Sequence, residues 1–277
     1  MSSHFTPLIA VGLCLLGFGV GVFGTLVGAG GGFVLTPALL LLYPSSSPAL
    51  VTAISLIVVF FNAGSGSLAY ARQRRIDYRS GAVFALCTLP GSVLGVLLAN
   101  TISRPLFDMI MGVALGALAA WLLAAGARGS EDRSASGSAR RLKDREGNVY
   151  SYRARVGLGA ALSVLVGFLS SFLGIGGGVL HVPLLVTLLG FPTHIATATS
   201  HFVLACMALV ATLTHVVTGT FNNGVGLRRA AALSIGVIAG AQLGALLSQR
   251  ISGKLIQRLL AAGLIALSLR LILSVAL

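Results

Sequence analysis

Apolar runs alternate with short polar stretches along this chain and come in two sets of five. In the first half they span about 7–29, 32–43, 49–71, 80–100 and 105–127, and in the second about 155–174, 177–190, 194–218, 229–248 and 254–277. Several of these runs approach the ~20 residues that a helix needs to cross ~30 Å of hydrocarbon. The pattern predicts an all-α polytopic membrane protein built from two homologous repeats.

A glycine cluster interrupts each half at the same place. The clusters are Gly28-Ala29-Gly30-Gly31-Gly32 and Gly174-Ile175-Gly176-Gly177-Gly178, and a proline follows each at the same distance, Pro37 and Pro183. A helix over 32–43 would be only about 18 Å long at 1.5 Å per residue. We therefore predict in each half a glycine-broken helix–short helix unit followed by three further helices. The sequence leaves two arrangements of the short helix, a re-entrant turn or the completion of a crossing.

Further positions repeat between the halves and set the domain boundaries. Thr52 and Ser55 match Thr197 and Ser200, and Gly91 and Gly95 match Gly240 and Gly244. We place the first membrane repeat at 1–127 and the second at 156–277. Residues 128–155 are rich in charge, Gly and Ser, a composition that predicts a solvated linker without a core.

Charge indicates how the chain lies in the bilayer. Only 9% of residues are charged, the mean hydropathy is +0.97, and the net charge of +13 is concentrated in loops and segment ends. Basic loops set membrane orientation, so the charged linker is expected to be cytoplasmic. Inverted repeats and parallel repeats both satisfy this rule, and we favour inverted repeats with both termini outside. No basic face with interleaved aromatics occurs, which excludes nucleic acid as a partner.

Acidic residues are missing from the middle of every apolar segment. The six Asp and Glu residues lie in the linker, in a loop at Asp77 and near a segment end at Asp108. A buried carboxylate is the usual site for a proton or a cation, so a cation would find little to hold it. The start of a helix instead offers free N–H groups and partial positive charge to an anion. We predict an anion site at the eight cluster glycines, Gly28, Gly30, Gly31, Gly32, Gly174, Gly176, Gly177 and Gly178; the alternative is close helix packing.

Polar side chains near the clusters are further candidates for substrate binding. They are Thr25, Ser55, Asn62, Ser170, Ser171 and Ser200, together with His181 and His201. The hydroxyls could instead bond to their own helix, and Asn62 could bridge helices. A histidine could attract the anion or carry a coupled proton, or it could be a neutral bridge between helices. No Cys or carboxylate stands at ligand spacing from these histidines, so we expect neither a metal nor another cofactor.

The two glycine motifs with their prolines, and the run from Asn62 through Leu68-Ala69-Tyr70 to Asp77, resemble the sulfite exporter TauE/SafE family, also called the toluene sulfonate uptake permease superfamily. The resemblance covers both halves but not the linker. It implies a bacterial inner membrane protein that moves sulfur-containing anions such as sulfite, sulfoacetate or other organosulfonates. His181 and His201 are a departure from the resemblance.

Three functions fit these features to different degrees. A secondary transporter, an exporter of a small sulfur-containing anion bound near the membrane midplane, accounts for the duplicated broken helices. An anion channel or uniporter for small oxyanions or carboxylates could use the same cradle. An intramembrane enzyme has little support, because the apolar segments hold no GxSxG, HExxH or paired carboxylates. Proton coupling and a homodimer are additional hypotheses; the lipid bilayer and the small anion are the expected partners.

Overall fold

The computed structural model describes residues 6–127, 137–221 and 224–251 and the single positions 255, 258, 262, 263, 265 and 266. This part of the chain is helical apart from one small sheet. Its helices are α1 (Pro7–Val27), α2 (Gly32–Leu42), α3 (Pro48–Arg72), α4 (Tyr78–Ala99), α5 (Arg104–Ala127), α6 (Val156–Leu173), α7 (Gly178–Thr187), α8 (Thr193–Val217) and α9 (Val225–Arg250), and its strands are β1 (Ser138–Lys143) and β2 (Val149–Ala154). Six described helices, α1, α3, α4, α6, α8 and α9, are long and apolar enough to span a membrane. The predicted all-α membrane fold is confirmed.

Glycine ends α1 and α6 where the sequence predicted the breaks. Gly28 and Gly174 are the C-caps of these helices, with φ of 79° and 66°. This left-handed conformation suits glycine, because a side chain would meet its own backbone. The short helix α2 then runs antiparallel to α3, since Thr36 contacts Ser55 and Gly32 lies beside Val59. The short helix is therefore re-entrant and does not complete a crossing.

The long helices form two groups with opposite directions. Helices α1, α3 and α9 run parallel, as the contacts of Gly17 with Leu233 and of Gly21 with Val237 on α1 and α9 illustrate. Helices α4, α6 and α8 also run parallel, and α3 crosses α8 in the antiparallel sense, with Thr52 near His215 and Gly66 near His201. Each repeat thus contributes one helix, α4 from the first and α9 from the second, to the other repeat's group. The equivalent helices α3 and α8 run in opposite directions, which is the arrangement that the inverted-repeat prediction expects.

Small residues make the two longest helix contacts possible. Gly91 and Gly95 of α4 lie directly against the backbone of α6, and their repeat mates Gly240 and Gly244 of α9 lie against the backbone of α1. Without side chains, the two helix backbones approach closely and gain van der Waals contact that lipid cannot replace. The glycine matches seen in the sequence therefore mark equivalent helix seams.

Part of the predicted linker is folded, which its composition did not indicate. Strands β1 and β2 form an antiparallel hairpin that pairs Ser138 with Ala154 and Lys143 with Val149. Leu142, Tyr150 and Tyr152 pack against a membrane-domain cluster that contains Phe84 and Phe191. Alternation along β2 places these apolar rings on one face, a signal that the high charge of the segment obscured. Residues 128–136 of the linker lie outside the described part.

A tyrosine and an arginine fasten this hairpin to the start of α4. The Tyr152 hydroxyl donates to Asp77 Oδ2 at 2.9 Å, and Arg140 Nε lies 3.6 Å from the same oxygen. Burial and the neighbouring Asp77 carboxylate both raise the pKa of Tyr152, so its hydroxyl keeps its proton and remains a donor. We call the end of the molecule that carries the hairpin the linker side.

Candidate functional site

The two glycine breaks meet in the interior of the protein. Gly32 lies against the carbonyl of Ile175, and Gly178 lies against Gly28 and Ala29. All eight cluster glycines proposed as ligands are buried. In this conformation the closest contacts of Gly28, Gly32, Gly174 and Gly178 are with protein atoms, which is the packing role given above as the alternative. Gly30 and Gly176 both face the side chains of Val59 and Leu204, so the two breaks have the same neighbours at this pair of positions.

Two serine hydroxyls join each repeat to the break of the other. Ser55 donates to the Gly174 carbonyl at 2.7 Å, and Ser200 donates to the Gly28 carbonyl at 3.3 Å. Thr36 Oγ1 is also 2.6 Å from the Gly174 oxygen. These carbonyls end helices α6 and α1 and lack partners within their own helices, so the hydroxyls satisfy them. Ser55 and Ser200, predicted from the sequence as ligand contacts, serve here as cross-repeat clamps.

A polar cluster lies beside the first break. Thr25 donates to Asn62 Oδ1 at 2.7 Å, and His201 Nε2 is 3.3 Å from Thr25 Oγ1. The Tyr70 hydroxyl donates to the Thr25 carbonyl at 2.8 Å, and its ring meets the His201 ring edge to face at 5.5 Å. Thr25, Asn62 and His201 are fully enclosed. We call Thr25, Asn62, Tyr70 and His201 the Asn62 cluster.

One donor in this cluster has no acceptor. Among the described residues Asn62 Nδ2 is buried without a hydrogen-bond partner, and so is the nearby Thr197 hydroxyl. Because Thr25 gives its hydroxyl proton to Asn62, His201 donates to Thr25 through Nε2, and the partnerless Nδ1 of the neutral ring is an acceptor. Asn62 Nδ2 also faces Gly31, because a Cβ built on Gly31 would lie 3.4 Å from it. A buried donor without an acceptor costs about 1–3 kcal/mol, so such groups usually have a function. An anion would supply the missing acceptors.

The equivalent place in the second repeat is more apolar. Repeat matching puts Met207 opposite Asn62 and Ser171 opposite Thr25. Ser171 shares a hydrogen bond of 2.8 Å with Ser92, whereas the Ser170 hydroxyl is buried without a partner. Gly177 faces Met207 and Ser170. The pseudo-symmetric breaks therefore have unlike surroundings, as the unequal histidine distribution suggested.

The structure separates His181 from the other candidates. Its Nε2 is 3.1 Å from the Ser163 hydroxyl, and its ring lies 6.2 Å from that of Phe84. These partners belong to α6 and α4, away from the Asn62 cluster. His181 therefore matches the alternative of a histidine that bridges helices. Among the described residues no group of three His, Cys, Asp or Glu side chains could hold a metal ion.

A cavity of about 570 Å³ opens on the linker side, and Ala69 in its wall directly precedes Tyr70 of the Asn62 cluster. Its wall includes residues from α3, the hairpin turn and α9: Ala69, Arg72, Gln73, Arg75, Asp144, Arg145, Glu146, Gln242 and Leu246. The Tyr70 hydroxyl contacts both the Thr25 carbonyl and, at 3.3 Å, the Ser248 hydroxyl. Sequence reasoning missed Tyr70, Gln73 and Ser248 as site residues. For Arg72, Arg74 and Arg75 it left two roles open, a signal for membrane orientation and an electrostatic funnel for anions.

Comparisons with known proteins place the chain in a family. The profile described as "Sulfite exporter TauE/SafE" matches residues 13–271. The Bacillus subtilis protein named "Probable membrane transporter protein YunE" is 30% identical over 266 residues, which cover 94% of this chain and 96% of that protein. A protein with a similar name from Methanocaldococcus jannaschii is 26% identical and covers 87% of each chain, and one from Sinorhizobium is 27% identical and covers 98% of this chain and 94% of its own. No solved structure shows significant similarity to the chain. The chain is a multi-pass membrane transporter that belongs to the sulfite exporter TauE/SafE family.

Proposed function

We propose that this chain is a secondary transporter that exports a small sulfur-containing anion, such as sulfite or sulfoacetate, and binds it at the Asn62 cluster beside the Gly28–Gly32 break. The observation that supports the proposal is the pair of enclosed donors without acceptors among the described residues, Asn62 Nδ2 and the nearby Thr197 hydroxyl. They lie in an interior whose spanning helices hold no carboxylate near this depth. Donors without competing negative charge favour an oxyanion over a cation.

The start of α2 adds to this preference. Gly31 is the N-cap of α2 and no side chain caps the helix there. The first N–H groups of a helix have no partner within that helix and carry about half a positive charge together. An anion that accepts from Asn62 Nδ2 would lie within reach of this helix end. The second break has Met207 at the matching position, so we place one binding site in the chain and not two.

Charge on the two faces supports an orientation in which export is favourable. The linker side carries Arg72, Arg74, Arg75 and Arg79 and the basic hairpin, so we assign it to the cytoplasm of a bacterial inner membrane. The cavity on this side then opens to the cytoplasm, where an exporter must collect its substrate. An inside-negative potential drives an anion outward by about 2.3 kcal/mol per charge per 100 mV, so export needs no coupling ion.

An alternating-access transporter fits the enclosed cluster better than an open channel. Thr25, Asn62 and His201 have no exposed surface, so an anion reaches them only after a conformational change. The two parallel helix groups, α1–α3–α9 and α4–α6–α8, could rock against each other about the α3–α8 contact. Such a cycle saturates with substrate and is far slower than conduction through a pore.

The test is transport into proteoliposomes of sulfite, sulfoacetate, sulfolactate, taurine and sulfate, with and without a pH gradient and a membrane potential. We expect saturable movement of at least one sulfur oxyanion, accelerated by a potential that is positive on the destination side. Asn62→Met, which installs the residue of the second repeat, should abolish it. Met207→Leu is the matched control, since an apolar exchange of similar volume costs less than about 1.5 kcal/mol. Transport of none of the five compounds, or unchanged transport by Asn62→Met, would overturn the proposal.

A further inference from the structure

Arg75 is a buried cation whose hydrogen-bonding capacity is mostly unused. Its side chain is 5% exposed, and its Nε and Nη1 have no hydrogen-bond partner within the part of the chain that the structure describes. Only Nη2 contacts carboxylates, Asp144 Oδ2 at 3.4 Å and Glu146 Oε2 at 3.7 Å. Charge-assisted N–H···O bonds are usually 2.7–2.9 Å long, so these contacts are loose. The planar guanidinium of Arg75 can therefore donate hydrogen bonds to an oxyanion that fits it better.

The carboxylate that faces Arg75 is held in place by the hairpin. Asp144 accepts hydrogen bonds from the backbone N–H groups of Glu146 at 3.0 Å and Asn148 at 2.8 Å, and from Asn148 Nδ2 at 3.0 Å. Burial opposes ionisation, but the Asn148 bonds and the Arg75 charge outweigh it and lower the pKa of Asp144, so the side chain is a carboxylate at neutral pH. The hydrogen bonds within the turn thus orient the Asp144 carboxylate toward the cavity.

The backbone of Arg75 is also bonded to Tyr70 of the Asn62 cluster. Its backbone N–H donates to the Tyr70 carbonyl at 3.2 Å, and the Tyr70 hydroxyl donates to the Thr25 carbonyl. The hairpin turn reaches the same segment, because the Arg145 N–H donates to the Gln73 carbonyl at 3.0 Å. Arg72 and Arg145 line the cavity together with Arg75, so its basic groups outnumber Asp144 and Glu146.

We propose that Arg75 and its cavity form a docking site for a small oxyanion on the linker side, and that the hairpin carboxylates Asp144 and Glu146 occupy it as a tethered competitor. The identity of the oxyanion rests on the function proposed above. A substrate with two or three oxygens on one sulfur can bridge Nε and an Nη of Arg75, which Asp144 does not. It would displace the turn and then pass Tyr70 to reach Thr25 and Asn62.

The test measures sulfite and sulfoacetate binding by titration calorimetry on the full-length protein in detergent. Asp144→Asn keeps an oxygen for the two backbone N–H groups of the turn but removes the charge, so oxyanion affinity should rise several-fold. Arg75→Gln should lower affinity at least as far, and the double variant should behave like Arg75→Gln alone. Asp108→Asn is the matched control, because Asp108 pairs with Arg104 at 2.8 Å in another ion pair; it should leave affinity unchanged.

Arg75→Lys covers the case in which Arg75→Gln does not fold, since it keeps the charge and loses only the planar guanidinium. It should reduce affinity less than Arg75→Gln. Unchanged affinity in Asp144→Asn overturns the competitor, and unchanged affinity in both Arg75 variants overturns the docking site. If the wild type and all variants fail to bind either oxyanion, the function proposed above fails with it. Binding that is lost in Asn62→Met but insensitive to every Arg75 and Asp144 change leaves that function standing and rejects the docking site alone.

Discussion

At the scale of single residues, Gly31 and Gly177 hold the same place in the two breaks but have different backbone conformations. Gly31 has φ of 80°, whereas Gly177 has φ of −62°, a value that any residue adopts. A Cβ on Gly31 would lie 2.9 Å from the Val20 carbonyl, whereas on Gly177 its nearest neighbours are at 3.4–3.5 Å. The sequence predicted equal roles for this pair, so the difference becomes visible only in the structure.

This difference predicts unequal effects of one substitution at the two positions. Gly31→Ala should destabilise the protein, with about 1–2 kcal/mol from the left-handed backbone alone and more from the contact with Val20. It should also reduce transport, because Gly31 lies next to Asn62. Gly177→Ala should be near wild type in both respects. Thermal unfolding in detergent, followed by size-exclusion chromatography, measures the first effect and proteoliposome transport the second. Equal loss at both positions would contradict the asymmetry of the breaks.

At the scale of the elements, glycine seams join α1 to α9 and α4 to α6. Gly91→Val and Gly240→Val occupy repeat-equivalent positions, and each added side chain would meet the backbone of the facing helix. Both changes should lower the unfolding temperature sharply, since overpacking typically costs about 1–3 kcal/mol and backbone yields less than a side chain. Gly19→Val on α1 is the control, because no atom lies within 4 Å of a Cβ built there. A loss of stability at Gly19 as large as at Gly91 would show that helix propensity, and not the seam, sets the effect.

The positions of the helices were largely predictable from the sequence, whereas their packing and the hairpin were not. Apolar run lengths and the duplicated Gly and Pro positions placed the nine helices of the described residues, because membrane-spanning length and glycine breaks are local properties. The tenth predicted segment, 254–277, lies mostly outside the described residues. The return of α2 beside α3 depends on tertiary contacts such as Thr36 with Ser55, which no local pattern encodes. The hairpin was missed because Tyr150 and Tyr152 are two apolar rings in a segment dominated by charge. His201 and Thr25, two of the candidates for substrate binding, lie together, whereas His181 lies beside Ser163. The sequence offered no means of distinguishing the two histidines, because both follow polar or glycine positions in apolar segments.

At the scale of the whole molecule, the two repeats have similar helix arrangements but different polar residues at the centre. The seams, the cross-repeat serines Ser55 and Ser200 and the opposite directions of the two helix groups follow the pseudo-symmetry that a rocking cycle needs. The Asn62 cluster and the cavity at Arg75 break it, because Met207 replaces Asn62 and only one face carries the hairpin. In the proposed cycle the symmetric helix groups would move, and the asymmetric cluster would recognise the anion, which agrees with one proposed site beside the first break.

If the hairpin turn must leave the cavity during this cycle, tying it to α3 should stop transport. The Arg145 N–H and the Gln73 carbonyl are 3.0 Å apart, a backbone approach that suits a disulfide between these positions. We expect Gln73→Cys with Arg145→Cys, in a protein whose Cys14, Cys87 and Cys206 are replaced by Ala, to transport oxyanion when reduced and to fall to the background of empty liposomes when oxidised. The two single-cysteine variants, treated with the same oxidant, control for effects of oxidation and of losing the Gln73 or Arg145 side chain. Equal rates in the cross-linked and reduced forms would mean that the substrate passes with the turn in place, and that Asp144 forms a fixed wall of the cavity and not a competitor.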